Sequence, residues 1–245
     1  TYDTPAYAGT ILTAWKDFFS GVYAANLAIE KITEFYGKID IDVKNSMLGE
    51  AYFLRGLHYM HLCLLFGETI PLYENSVKET SDYYKGNATP GEIYSLIVSD
   101  FIKASELLPL RSVLYSEPSC IGRATKGSAL GYLARTYLYR TILEKGQSAE
   151  FEKAEKALKS IIDSKEYELV ANFRDNFMEN NENNSESVFE LQMKLGADFF
   201  EQSYSLRWMM VGVPGNNGMW GQFAPNRRTL DEYENGDPRK FMTLW

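Results

Sequence analysis

Residues 49–72 read GEAYFLRGLHYMHLCLLFGETIPL. Apolar residues fill positions 51–54, 57, 59, 60 and 62–66, so the second half of this stretch has no polar side. Phe66-Gly67 and Pro71 close it, because glycine and proline end helices. A helix that is apolar all round lies inside a larger protein or spans a membrane. Spanning takes ~20 consecutive apolar residues. This run is shorter, and Arg55, His58 and His61 interrupt it. Such groups are costly inside lipid. The stretch therefore predicts the central core helix of a helical protein.

The flanking sequence predicts further helices. Ile11, Trp15, Phe18, Phe19, Val22, Ala25, Leu27, Ile29 and Ile32 recur at helical spacing over 11–35, with Thr10 as N-cap and Gly37 as stop. A short linker at 37–42 joins this helix to the long one at about 43–66. Two helices so joined pack as a hairpin. A polar connection at 74–89 contains SDYYKGN. Thr89, Pro90 and Glu92 form a capping box with proline at the first helical position, predicting a helix to about Leu108. After a loop at 109–124, a helix runs from Thr125 to about Gly146. Its Gly127, Ala129, Gly131 and Ala134 alternate with Leu and Tyr, and small residues let a neighbouring backbone approach. An amphipathic helix follows at about 149–163. The pattern lacks a clean period of ~34 residues, which fits divergent helix pairs of tetratricopeptide type.

After residue 165 the texture changes. VFELQM at 188–193 alternates and predicts one short strand. Residues 194–228 are rich in Gly, Asn and aromatics and read as loop. Residues 229–235 read as a short helical stretch before an Asn235-Gly236-Asp237-Pro238-Arg239 turn. The expected fold is mostly α: tetratricopeptide-like helix pairs beside a loop-rich aromatic face. It is taken as one domain over 1–245, with helical repeats at 11–165 and the loop-rich part at 166–245.

Ordered blocks along the chain resemble the SusD/RagB family. Glu50, Ala51, Phe53, Leu54, Arg55, Tyr59, Leu62, Phe66, Gly67, Pro71 and Leu72 fit its signature A-E-A-x-F-L-R-A-x-x-Y-x-x-L-x-x-x-F-G-x-x-P-L. Gly49 and Gly56 stand where the family usually has Ala. Trp15, Phe18, Tyr23 and Asn26 loosely resemble the preceding helix. Arg123 to Tyr139 is similar to R-x-T-K-x-A-A-x-x-L-L-A-R-x-Y-L. Tyr167 to Met193 resembles Y-x-L-x-x-x-Y-x-x-x-F followed by N-x-E-x-x-F-x-I-Q, and Leu230, Tyr233, Asp237 and Arg239 fit L-x-x-x-Y-x-x-x-D-x-R. Members of the family are considerably longer, so the chain is similar to the front and middle of one. They are surface-exposed, glycan-binding outer-membrane lipoproteins of Bacteroidetes. The resemblance implies non-catalytic capture of oligosaccharide or polysaccharide and its delivery to a TonB-dependent, SusC-like transporter. It also implies a location at the cell outer membrane, with a lipid anchor missing from this chain.

Bulk properties narrow the alternatives. A net charge of −8 argues against nucleic acid, since phosphate binding needs a basic face. It also offers anionic lipid no polybasic attraction. Cys63 and Cys120 make no disulfide framework and read as unpaired thiols. No signal peptide is legible, and the chain begins at Thr1 rather than Met, so it reads as an excised or trimmed polypeptide in which absent targeting signals say nothing about native location.

No cofactor or metal motif is legible. His58 and His61 stand three apart on one helix, yet no Cys, Asp or Glu motif nearby completes a ligand set. Arg55 needs a buried partner, and Glu50 qualifies only through a neighbouring helix. No acidic pair is marked as general acid and nucleophile. The run at 179–187 lacks calcium-loop spacing and reads as a solvated loop. The stretch 199–223 is where a ligand is expected. Tyr204, Trp208, Trp220 and Phe223 offer stacking planes, Asn216 and Asn217 offer amides that match sugar hydroxyls, and glycines give the loop freedom. The competing reading has these aromatics pinning a long loop to the helical core. Trp15 reads as core. Two rival functions are an intracellular helical-repeat scaffold that binds a peptide and a glycoside hydrolase.

Overall fold

The decisive helix starts where a carboxylate can cap it. In α2 (Ile41–Phe66), Asp40 accepts from the N–H of Asp42 at 2.8 Å and of Val43 at 3.4 Å. These are N–H groups that a helix start leaves without partners. The helix ends at Gly67, whose φ of 81° disfavours any residue with a Cβ. A computed structural model describes residues 9–35, 37–143, 148–192 and 231–240. The chain divides into two compact units, Thr1–Tyr167 and Glu168–Trp245, and each is described by itself.

Among its described residues the first unit holds six α-helical elements and two 3₁₀ turns, and its long helices appear where hydrophobic spacing expects them. Helix α1 is Gly9–Glu34, so Thr10 lies inside its first turn rather than capping it. Helix α3 is Glu92–Leu107. It begins later than the capping box predicts, because Thr89, Pro90 and Gly91 form a turn with Gly91 at φ 88°. Half of the box survives: the Glu92 carboxylate accepts from the Thr89 N–H at 2.7 Å. A helical turn, α4 (Arg111–Leu114), interrupts the expected loop. Helix α5 (Lys126–Leu143) is capped reciprocally, the Ser128 N–H donating to Thr125 Oγ1 at 3.2 Å and the Thr125 N–H to Ser128 Oγ at 3.0 Å. Helix α6 is Ser148–Ser164.

Helix α2 packs on α1 and α3, α3 packs on α5, and α5 packs on α6. At the junction of α2, α3 and α5, the Phe53, Phe101 and Tyr132 rings meet at centroid distances of 5.5–5.8 Å. Phe53, Tyr59, Leu62, Ile93 and Phe101 are fully buried. Burying such an apolar side chain contributes about 1.5–3 kcal/mol. Glycines set the helix spacings. A Cβ on Gly21 of α1 would sit 2.2 Å from His58 Nε2 of α2, and one on Gly127 of α5 would sit 2.2 Å from the Tyr167 hydroxyl oxygen.

Two expectations need correction. First, α2 is not enclosed on every side: Leu54 is 44% exposed and Leu65 58%. Helices α1 and α3 flank it, and α5 touches it only lightly, so one face stays open. Val43, Met47, Leu54 and Leu65 share that face at helical spacing and are all exposed. Second, residues 188–192 form no strand, and among the described residues no strand occurs beyond an isolated Pro71–Asn87 bridge. Alternation becomes a strand only with a ladder partner. Here Glu190 instead accepts from the Asn183 N–H at 3.0 Å, and the Gln192 and Asn183 amides exchange hydrogen bonds of 2.9 and 3.0 Å.

Among the described residues the second unit otherwise has short 3₁₀ turns at Phe173–Phe177 and Glu179–Asn181. Its described C-terminal piece turns at Gly236, φ 88°, and Arg239 grips Asp237. Of the helical stretch expected at 229–235, residues 229–230 lie outside the described residues and only Asp231 is helical. Among the described residues no helix is long and apolar enough to cross a membrane. Cys63 and Cys120 are both free thiols.

Candidate functional site

Arg55 is 4% exposed, and its hydrogen-bond partners lie on other elements. Its Nε and Nη2 donate to the two Asp100 oxygens at 2.8 and 2.7 Å, and its Nη1 donates to Asn26 Oδ1 and the Glu74 carbonyl, both at 2.8 Å. A buried guanidinium is tolerated only with such a set of acceptors. Burial pushes the Asp100 carboxyl above its ordinary value, with the Arg55 bonds pulling against it. Burial likewise opposes the Arg55 charge, yet the Asp100 bonds outweigh it and raise the guanidinium pKa. Glu50 is not the partner. It forms a two-pronged pair with Arg123 at 2.7 and 2.6 Å, which ties together the two segments that carry the signature motifs.

This cluster holds the connector between α2 and α3. Asn26 Nδ2 donates to the carbonyls of Tyr73 at 2.8 Å and Asn75 at 3.1 Å. The Tyr73 N–H donates to the Tyr59 hydroxyl at 2.6 Å. The Ala88 N–H donates to the Ile70 carbonyl at 2.9 Å, and Pro71 bridges to Asn87, so residues 71–87 leave and rejoin the body at one place. Backbone polar groups of this stretch are thus met by side chains instead of a sheet.

Between α1 and this connector lies a groove of ≈ 520 Å³. Trp15, Phe19 and Tyr23 form its α1 wall, and Tyr73, Val77 and Tyr83 its connector wall, with Asn75 also facing it. The Tyr73 hydroxyl donates to the Tyr83 carbonyl at 2.9 Å, which fixes one wall. Trp15 packs edge-on against Phe66 at 5.0 Å and tilted against Phe19 at 4.7 Å. Trp15 is therefore half in the core and half in the groove, not wholly core as its spacing suggests. Tyr83 is 63% exposed and Tyr84 84% exposed. Exposed aromatics at a rigid edge offer apolar faces with polar tips. Among the described residues no Asp or Glu lines the groove, whereas glycoside hydrolysis calls for two carboxylates. The described lining presents aromatic faces and the Asn26 and Asn75 amides.

The residues expected from sequence to hold the ligand, Tyr204, Trp208, Asn216, Asn217, Trp220 and Phe223, all lie outside the described residues. Of the groove aromatics only Tyr83 falls in the SDYYKGN connection, which reads as a polar link in sequence, and the fold brings the α1 aromatics beside it. His58 and His61 lie at the α1–α2 contact, where His61 stacks on Phe18 at 5.3 Å and Phe18 meets His58 at 6.0 Å. Among the described residues no group of three His, Cys, Asp or Glu is placed to hold a metal ion. Burial, and then the neighbouring His61, lower the His58 pKa.

The fold and sequence match known proteins. A SusD-like protein from Bacteroides ovatus is 26% identical over 243 residues, covering 97% of this chain and 43% of that protein. SusD-like protein P38 from Formosa agariphila is 30% identical over 241 residues, covering 94% of this chain and 42% of that protein. The chain thus spans less than half the length of these relatives. Among solved structures, a SusD superfamily protein from Parabacteroides distasonis superposes with a TM-score of 0.82 at 23% identity, covering 96% of this chain and 49% of that one. A structure described as containing a xylogluco-oligosaccharide superposes with a TM-score of 0.79 at 23% identity, over 96% of this chain and 46% of that one. Residues 2–138, from before α1 to late in α5 and so including the Arg55 cluster and the groove, match the family described as SusD-like, starch-binding associating with outer membrane, and the chain belongs to that family.

Proposed function

We propose that the protein captures oligosaccharide or polysaccharide at the outer membrane without catalysis and passes it to a TonB-dependent, SusC-like transporter. The observation that carries the binding half is the groove of Trp15, Tyr23, Tyr73 and Tyr83 with the amide of Asn75 beside it. Pyranose rings present C–H faces that settle on aromatic planes, and their hydroxyls pair with amides. The connector wall is held before any ligand arrives by Asn26, Arg55 and Tyr59, and preorganisation lowers the cost of binding. The neighbour solved with a xylogluco-oligosaccharide shares this fold. The loop aromatics Trp208 and Trp220, with Tyr204, Phe223, Asn216 and Asn217, are proposed as further ligand contacts.

The transporter half draws on the exposed apolar side chains of α2. Val43, Met47, Leu54 and Leu65 are exposed at helical spacing there, and exposed apolar side chains grouped on one helix suit an interaction surface. A lipid anchor would hold the protein at the surface. Affinity electrophoresis against a panel of plant, microbial and algal polysaccharides tests the binding half, and co-purification from native membranes tests the transporter half. Retarded migration in at least one polysaccharide and a co-purifying β-barrel transporter are expected. Cleavage products, or no retardation with any polysaccharide, would overturn the reading.

A further inference from the structure

A second cleft, separate from the aromatic groove in character, runs along the outer face of α3. It has two parts. One of ≈ 920 Å³ lies toward the connector and takes in Tyr52, Glu74, Asn75 and Glu92. The other, of ≈ 610 Å³, lies toward α6 and takes in Glu106, Glu150 and Lys153. The two share four residues: Ser95, Ser99, Lys103 and Arg140. Ser95, Ser99 and Lys103 are spaced four apart, so they lie in a row on one face of α3. Arg140 reaches the same place from α5.

Charge is sorted along this cleft. The shared centre holds two cations and two hydroxyls, while the carboxylates stand at the two ends. At one end Glu92 is tied to the Thr89 N–H. At the other, Glu150 pairs with Lys153 at 2.8 Å and accepts from the Tyr94 hydroxyl at 3.1 Å. Asp100 lies behind the cleft, committed to Arg55. Both central cations are steadied by rings: the Arg140 guanidinium lies 4.0 Å from the Tyr94 ring centroid, and Lys103 Nζ 4.9 Å from that of Tyr52. Lys103 has no carboxylate within ion-pair distance, and the Ser99 hydroxyl has no hydrogen-bond partner, among the described residues. On a chain of net charge −8, a basic centre of this kind stands out.

We propose that this cleft is a subsite for an acidic sugar unit. Lys103 and Arg140 receive one carboxylate or sulfate ester, Ser99 bonds the adjoining ring hydroxyls, and the end carboxylates accept from hydroxyls of neutral units on either side. This inference rests on the glycan-binding reading and narrows its ligand to saccharides that carry an anionic group. The shared chemistry is an anion on a sugar ring, and uronate and sulfate ester are its two sources.

Backbone amide shifts of the ¹⁵N-labelled chain test the subsite at low ionic strength, with glucuronate, glucose 6-sulfate, glucose and inorganic sulfate as probes. Either acidic sugar is expected to shift the amides of Ser95, Ser99 and Lys103 saturably, glucose not at all there, and inorganic sulfate only weakly. Lys103→Ala, an exposed side chain whose loss spares the core, should weaken acidic-sugar binding about tenfold, as expected for one charge-assisted hydrogen bond. Equal response to glucose, equal affinity for inorganic sulfate, no shift with either acidic sugar, or unchanged binding in Lys103→Ala would overturn the inference. If neutral oligosaccharides shift Tyr73 and Tyr83 while the acidic sugars leave α3 untouched, the subsite fails and the glycan reading stands. If no saccharide shifts any amide, both fail.

Discussion

Removing the Asp100 carboxylate should rank among the costliest single truncations in the helical unit. Asp100→Ala leaves the Arg55 guanidinium in a site where it is 4% exposed, with two of its four hydrogen bonds gone. Breaking one side of a buried ion pair costs about 3–5 kcal/mol, most of it the uncompensated charge. That is a large share of the roughly 5–15 kcal/mol that holds a domain folded. Removing both charges at once is different. In Arg55→Met/Asp100→Leu no charge is left buried, although Asn26 and the Glu74 carbonyl each lose a donor. Each orphaned polar group costs about 1–3 kcal/mol. The double variant should therefore be less destabilised than the sum of its single variants by at least about 2 kcal/mol. Urea unfolding followed by circular dichroism reads this as a shift of midpoint at constant slope. Additive costs, or an Asp100→Ala penalty under about 1 kcal/mol, would refute the idea that the pair is the buried link between α2, α3 and the connector.

Three further outcomes follow from the packing. Gly21→Ala places a Cβ 2.2 Å from His58 Nε2 and should cost about 1–3 kcal/mol by overpacking; adding His58→Ala should restore part of it in the same unfolding assay. Neutral His58 in the fold has a lowered pKa, while in the unfolded chain it takes a proton near pH ~6.5. The unfolded state then binds more protons below that pH, so stability is full above it and falls as pH drops through it; His58→Leu should flatten the slope between about pH 7 and pH 5. Arg123→Ala breaks the bond to Glu50, but Arg123 is 42% exposed, so the loss should stay near about 1 kcal/mol and shrink in high salt.

Helix existence was legible because hydrophobic spacing is a local property. The helix starts were less so, since Thr89 and Pro90 could head either a helix or the turn that Gly91 makes. Partners were illegible for a physical reason: Arg55 announces a buried acceptor, yet nothing in sequence marks Asp100, which is 45 residues away. The alternation at 188–193 suggested a strand, but a strand requires a neighbour, and over the described residues 188–192 Asn183 took up the polar groups instead. The groove was invisible for the same reason as the ion pair. Trp15 sat on an apolar stripe and Tyr83 in a polar loop, and only the α1–α2 hairpin with its pinned connector brings them to one place.

Isothermal titration of the chain and its Tyr83→Ala variant with an oligosaccharide of the polysaccharide that retards it most tests the central claim directly. The Tyr83 ring is 63% exposed, so its loss should leave the fold intact while removing one wall of the groove. The account predicts saturable binding to the unmodified chain and an affinity at least about fivefold weaker in the variant, from a lost aromatic contact of about 1 kcal/mol. Equal affinity in both would contradict it and move the glycan away from this groove.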